Sequence, residues 1–360
     1  MRIDVTKTYL PPIDEYIKHL SKAWKSGWIT NHGALVRNLE SRIKEYLRVK
    51  HVFLVNNGTI ALQIAIRALD IKGEVITTPF SYVATTSSIV WERCKPVFVD
   101  IEPETLCINP GLIEKAVASK TQAILPVHVY GNPCNVESIR RIARKHQLKV
   151  IYDASHAFGV KYKGSSLLNY GDISTLSFHA TKLFHTVEGG ALVTDDDRLA
   201  HKISYMRNFG HNGPEAFFGL GINGKLSEFH AAMGLCILPK VKDLIRRRKA
   251  ISETYDKFFK DTPLKRPEIR LNAGYNYAYY PVIFETERQL AKTKEFLNSN
   301  NIFPRRYFYP VLTDLNYVNH YNVPVAENMS KRILCLPLYY ELPDKDISRI
   351  SRLILRSLQS

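Results

Sequence analysis

Cysteine is scarce in this chain, and its five copies are badly placed for pairing. Cys94, Cys107, Cys134, Cys236 and Cys335 are odd in number, widely spaced, and form no CxxC step. That pattern argues against a disulfide framework and against a zinc site, so no metal is expected, and a reducing cytoplasm suits it. Also missing is any unbroken apolar run near the ~20 residues that a bilayer span requires. The opening Met1-Arg2-Ile3-Asp4 lacks the apolar core of a secretion signal. The expectation is a soluble cytoplasmic protein with no membrane partner. Acidic residues are in deficit, 34 against 50 Lys and Arg, for a net charge of +16. Such a surplus attracts nucleic acid, anionic lipid or small phosphorylated ligands alike. The basic residues are scattered, however, and no basic-aromatic RNA motif or zinc-finger spacing occurs, which argues against nucleic acid. The densest run, Arg246-Arg247-Arg248, falls in an amphipathic stretch and reads as a solvated helix face.

What is present is enough apolar material, 45% of 360 residues, for a large core with a smaller domain beside it. Between about residues 50 and 195, short β-branched runs alternate with helical patterns: 52–55, 74–78, 96–100, 123–129 and 149–152. Alternation of this kind predicts an α/β fold with a mostly parallel sheet, whose ligands gather at the carboxyl ends of the strands. Residues 1–45 suggest a helical arm, and 240–260 a long charged helix leading out of the sheet. A strand-like run (277–284), a helix (287–298), an aromatic loop (305–312) and a final amphipathic helix (344–358) follow. The division expected is a large domain over 1–240 with its arm, and a smaller α+β domain over 241–360. No internal repeat or low-complexity segment appears.

Four segments carry chemistry. Ser177-Phe178-His179-Ala180-Thr181-Lys182, followed by Glu188-Gly189-Gly190, sets a lysine on a loop between two predicted strands. A lone lysine is usually a solvated charge. A lysine that forms a Schiff base must attack as the neutral amine, with its pKa lowered by desolvation or a neighbouring cation. Second, the apolar run Val150-Ile151-Tyr152 ends at Asp153-Ala154-Ser155-His156. Asp153 suits either a helix cap or the carboxylate that keeps a pyridine nitrogen protonated; His156 suits a satisfied core histidine or a partner for a phenolic oxygen. Third, Asn57-Gly58-Thr59 after a strand opens a helix, as an ordinary capped turn or as an anion site made of free amides. Ser177 could add a hydroxyl there. Fourth, Thr78 to Thr85 repeats the strand, turn and helix pattern with Tyr82 at the opening, either as core or stacked on a ligand ring.

Taken with Gly27-Trp28-Ile29-Thr30 and Gly221-Ile222-Asn223-Gly224-Lys225-Leu226-Ser227-Glu228, these segments resemble the DegT/DnrJ/StrS sugar aminotransferases over nearly the whole chain. The resemblance implies a fold-type I pyridoxal 5'-phosphate (PLP) transferase with Lys182 as Schiff-base lysine and catalytic partners Asp153 and His156. It implies cofactor contacts from Asn57, Gly58, Thr59, Tyr82 and Ser177, and from Asn223 toward the neighbouring subunit's cofactor, hence a homodimer with shared sites. Trp28, Thr30, Glu188, Arg305, Arg306, Tyr307, Phe308 and Tyr309 are the expected substrate contacts, although packing of the two domains accounts equally for 305–309. Some relatives carry histidine at the lysine position and act as dehydratases; Lys182 favours transamination. Where the family's 3-keto-sugar members tend to carry a histidine-rich stretch and a His-Tyr-Pro-type loop, this chain has Phe217 to Gly221 and Arg305 to Pro310, which resemble the viosamine-forming branch that aminates C4 of dTDP-4-keto-6-deoxy-glucose, with L-glutamate as the donor the family implies. The alternatives are amination at C3, a UDP- or GDP-linked sugar, and a PLP-binding regulatory protein without turnover.

Overall fold

A computed structural model describes residues 2–359 of the chain. Seven strands form its central sheet: β1 (His51–Val55), β2 (Glu74–Thr77), β3 (Lys95–Phe98), β4 (Thr121–Leu125), β5 (Lys149–Asp153), β6 (Ile173–Ser177) and β7 (Gly190–Thr194). Their order is β1-β7-β6-β5-β4-β2-β3. Only β7 runs antiparallel to its neighbours; the other pairings are parallel. The strands are buried at most positions because both faces are covered, as in parallel sheets generally. In β5, Val150 and Tyr152 face one core cluster and Ile151 the other, and Ala191 and Val193 oppose Leu192 in β7 in the same way. This α/β architecture matches the one expected from the alternating pattern.

Beyond residue 240 a long helix, Val241–Phe259, leads to an antiparallel pair, Tyr280–Ile283 with Ile333–Leu336. Helices Glu287–Ser299 and Asp344–Gln359 cover that pair and enclose a separate core that includes Tyr255, Tyr280, Leu290 and Ile354. Strand pairing crosses residue 240 in both directions. Ile3–Asp4 pairs with Ile302–Phe303, and Ile3 lies in the smaller core, while Ala273–Gly274 joins Lys161–Tyr162 beside the larger one. The buried Asp100 carboxylate also crosses it, accepting from the Val325 and Ala326 amides at the start of helix Pro324–Arg332.

Three expectations need adjustment. The amino-terminal arm is a short strand followed by two helices, Ile13–Ser26 and Ala34–Leu47. The predicted strand 123–129 stops at Leu125, after which the chain turns and only Val127 bridges to Asp153. The run 246–248 is not one solvated face. Arg246 is exposed and paired with Asp243, Arg247 reaches Asp344 and the Leu342 carbonyl, and Arg248 is buried. Arg248 occupies the apolar stripe Val241, Leu244, Ile251, Tyr255 and Phe259, whose spacing is that of a helix face turned to the core.

Candidate active site

The carboxyl ends of β1, β2, β5 and β6, and the start of β7, lie along one edge of the sheet, because the register sets Gly190 beside both Val55 and Ser177. Chemistry-bearing residues accumulate at that edge. After β1, Asn57 caps helix Gly58–Ala68, its Oδ1 accepting from the Ile60 amide at 2.8 Å. The amides of Gly58 and Thr59, at the first turn, have no acceptor within the helix, so two donors stay open at its positive end. A Cβ on Gly58 would stand 2.9 Å from the Ser177 Cβ. Only glycine lets the helix start come this close to the end of β6, which places the Ser177 hydroxyl beside the same open amides.

Asp153, at the end of β5, is 4% exposed. Its carboxylate accepts from the Ser155 amide at 3.1 Å and from the Thr85 hydroxyl at 2.8 Å. Since Thr85 spends its proton on Asp153, Ser81, 2.9 Å away, is the donor to Thr85. Three residues on, His156 Nδ1 accepts from the Tyr130 amide at 3.2 Å, which puts the proton of the neutral ring on Nε2. Burial, and next the Lys182 amine, hold the His156 pKa well below its ordinary value. Its ring stacks on Phe308 with centroids 5.7 Å apart.

Lys182 sits on the loop between β6 and β7, and its Nζ donates to the Tyr279 hydroxyl at 3.4 Å. Burial pushes its pKa down to about 8, opposed by the Asp153 carboxylate and by Tyr82. The amine is therefore a partly neutral nucleophile near neutral pH.

These groups share one cavity of about 340 Å³, within the usual size range of small-molecule sites. Asn57, Gly58, Thr59, Tyr82, Asp153 and His156 line it, as do Ser177, Lys182, Glu188, Arg305, Tyr307 and Phe308. Five expected residues lie outside it. Arg306 turns away because its guanidinium is engaged elsewhere, with Glu287 at 2.9 Å, the Ser330 and Lys331 carbonyls, and the Tyr309 ring at 3.6 Å. Arg306 thus ties the 305–310 loop to helices Glu287–Ser299 and Pro324–Arg332, with Tyr309 packed on its guanidinium, and neither lines this cavity. Trp28, Thr30 and Asn223 are exposed and outside the cavity of their own chain. Conversely, Ser81, Thr85 and Tyr279 line the cavity without having been singled out in the sequence. The position of Thr85 on the helix after Tyr82 offered a clue to its place at the site; Tyr279, 97 residues beyond Lys182, offered none.

The DegT/DnrJ/EryC1/StrS aminotransferase family matches residues 13–355. A Shigella dysenteriae protein named dTDP-4-amino-4,6-dideoxy-D-glucose transaminase is 45% identical over 349 residues, covering 94% of this chain and 95% of its own. An Escherichia coli protein of the same name is 40% identical, covering 98% of each. Among solved structures, DesI in the presence of its TDP-sugar product superposes with a TM-score of 0.93 at 32% identity, over 99% of this chain and 93% of that one. Helicobacter pylori PseC, an aminotransferase of pseudaminic acid biosynthesis, does so with a TM-score of 0.93 at 27% identity over the whole of both chains. With the lysine, the buried carboxylate and the open helix start assembled at one sheet edge, and with that match from residue 13 to 355, this chain belongs to the DegT/DnrJ/EryC1/StrS aminotransferase family.

Proposed function

We propose that the chain uses PLP to move the amino group of L-glutamate onto C4 of dTDP-4-dehydro-6-deoxy-D-glucose, giving dTDP-4-amino-4,6-dideoxy-D-glucose and 2-oxoglutarate. One observation carries the cofactor assignment: the Lys182 amine, with its pKa lowered to about 8, shares a cavity with the buried Asp153 carboxylate and the open amides of Gly58 and Thr59. An amine, an acid and an anion cradle are the three groups that a pyridine aldehyde phosphate calls for. When bound, PLP supplies an electron sink for the carbanion left by proton removal.

The chain's own residues do the rest. The Gly58 and Thr59 amides and the Ser177 hydroxyl would hold the phosphate. Asp153, fixed by Thr85 and Ser155, would keep a proton on the pyridine nitrogen. His156, with its proton on Nε2, would hold the phenolic oxygen, and Tyr82, 60% exposed where it lines the cavity, would pack on the ring. Lys182, once free as an amine, takes and returns the proton at the carbon that gains or loses nitrogen. Arg305, Tyr307, Phe308 and Glu188 border the space left for the two substrates.

The substrate assignment follows the two relatives at 45% and 40% identity. Proteins named GDP-perosamine synthase, from Escherichia coli O157:H7 and Vibrio cholerae, are more distant at 31% and 30%. The working unit is proposed to be a homodimer in which Asn223 of each chain completes the phosphate site of the other. Trp24, Trp28, Phe217 and Leu220, between 58% and 76% exposed, provide the apolar surface for it. Incubation with L-glutamate and a panel of dTDP-, UDP- and GDP-linked keto sugars, with products weighed by mass spectrometry, tests the assignment. The dTDP-4-keto sugar should be aminated fastest. Preference for another sugar would refute the substrate, and no turnover on any would favour a regulatory protein.

A further inference from the structure

Tyr279 comes from the segment that enters the smaller domain's strand pair, yet its hydroxyl meets Lys182. Several bonds bring it there. Asn276, 1% exposed, donates from Nδ2 to the carbonyls of His156 at 2.8 Å and Phe158 at 3.1 Å, while its Oδ1 accepts from the Ala278 amide at 3.2 Å. The Tyr275 hydroxyl donates to the Tyr130 carbonyl at 3.0 Å, and the Tyr130 amide is the partner of His156 Nδ1. From the other side Arg248 Nη1 donates to the Ala278 carbonyl at 3.0 Å. The segment is thereby tied to the loops that carry His156 and Tyr130.

Arg248 is the least expected of these ties. It is 6% exposed, and among the described residues no carboxylate stands among the charges that act on it. Burying a guanidinium without an acid is costly, and a single carbonyl is a poor counterpart for it. What its position achieves is to fix the peptide that precedes Tyr279. The Tyr279 ring is then enclosed by His156, Tyr130 and Tyr307, with centroids 5.0, 5.6 and 5.7 Å away. Only its hydroxyl is left to meet the amine.

We propose that Tyr279 is a positioning residue for Lys182: its phenol oxygen holds the lysine amine at the cavity floor whenever that amine is not bonded to the cofactor. Because Nζ donates and Tyr279 accepts, the nitrogen lone pair stays free for attack or for taking a proton. The clamp of Asn276 and Arg248 makes the smaller domain responsible for where the nucleophile points. This inference rests on the aminotransferase reading.

The test is the reactivity of Lys182 in the full-length protein freed of cofactor, by pulsed labelling with acetic anhydride from about pH 6 to 10 and mass spectrometry of the Lys182 peptide. The charged or titratable groups facing Lys182 besides Tyr279 are Asp153, Tyr82 and His156, and Tyr279→Phe leaves all three in place. Loss of the acceptor disfavours the ammonium, so the labelling midpoint should fall by about half a pH unit or more. With cofactor restored, pyridoxamine formation from glutamate should slow by about tenfold or more, with half-saturating glutamate unchanged. Arg248→Lys, which keeps the charge but loses the planar fork, should move both readouts the same way by less, and it serves as the test should Tyr279→Phe not fold. An unmoved midpoint and rate in a folded variant would overturn the proposal. If instead wild-type Lys182 takes up no cofactor at all, the aminotransferase reading fails first.

Discussion

The Thr85 hydroxyl donates to the Asp153 carboxylate at 2.8 Å, across 68 positions of sequence. The bond joins the helix after β2 to the end of β5 and fixes the direction of a carboxylate that the proposed chemistry requires ionised. Removing it with Thr85→Val should lower kcat by about 10- to 100-fold, the equivalent of the ~1.5–3 kcal/mol carried by a hydrogen bond to a charged group. Half-saturating sugar should stay the same. Steady-state kinetics on both substrates check this.

Lys182 has a lowered pKa of about 8, chiefly from burial. Its neutral fraction therefore rises about tenfold between pH 7 and 9 and then levels off, whereas an ordinary lysine would gain about a hundredfold and keep rising. The rate at which the cofactor-free chain takes up PLP, followed by absorbance, should trace the first curve.

Two buried histidines predict acid sensitivity. The His128 pKa is pushed down to about 3 by burial and by Arg270, and that of His156 lies well below its ordinary value. Each folded-state pKa is below the unfolded one. As pH falls below about 6.5, the unfolded chain gains protons that the folded chain does not, and stability is lost by up to ~1.4 kcal/mol per pH unit per histidine. Urea unfolding at a series of pH values measures that slope. It should become shallower in His128→Asn, which keeps an acceptor for the Cys134 amide now bonded to Nδ1 at 3.1 Å.

Glu228, 1% exposed, caps helix Ala34–Leu47 from the interior, with its two oxygens accepting from the Leu35 amide at 2.7 Å and the Val36 amide at 3.0 Å. Glu228→Ala should cost about 2 kcal/mol in unfolding free energy. Gly33→Ala should also destabilise, because the added Cβ would lie 2.5 Å from the Glu228 Cδ. Chemical denaturation of both variants checks the pair.

The ends of β1 and β5 were legible because a short apolar run, 52–55 and 150–152, gives way at once to polar residues with a chemical use, Asn57 and Asp153, whereas β6, Ile173-Ser174-Thr175-Leu176-Ser177, contains no such run. Local pattern is enough to place such residues at one edge of a parallel sheet. Arg248 was misread because charge dominates the run 246–248, although the stripe 241, 244, 248, 251, 255 assigns it to the core. Arg306 and Tyr309 were placed with their neighbours because sequence adjacency does not show which way successive side chains turn. The part of the site delivered by Tyr279 depends on tertiary bonds from Asn276 and Arg248, which leave no mark in the surrounding sequence.

The central claim is that Lys182 is the residue that bonds the cofactor. Borohydride reduction of the PLP-loaded protein, followed by peptide mass spectrometry, addresses it directly. The account predicts a pyridoxyl group on Lys182 and loss of amination in Lys182→Ala. A label on another lysine, or a Lys182→Ala protein that still transaminates, would contradict it.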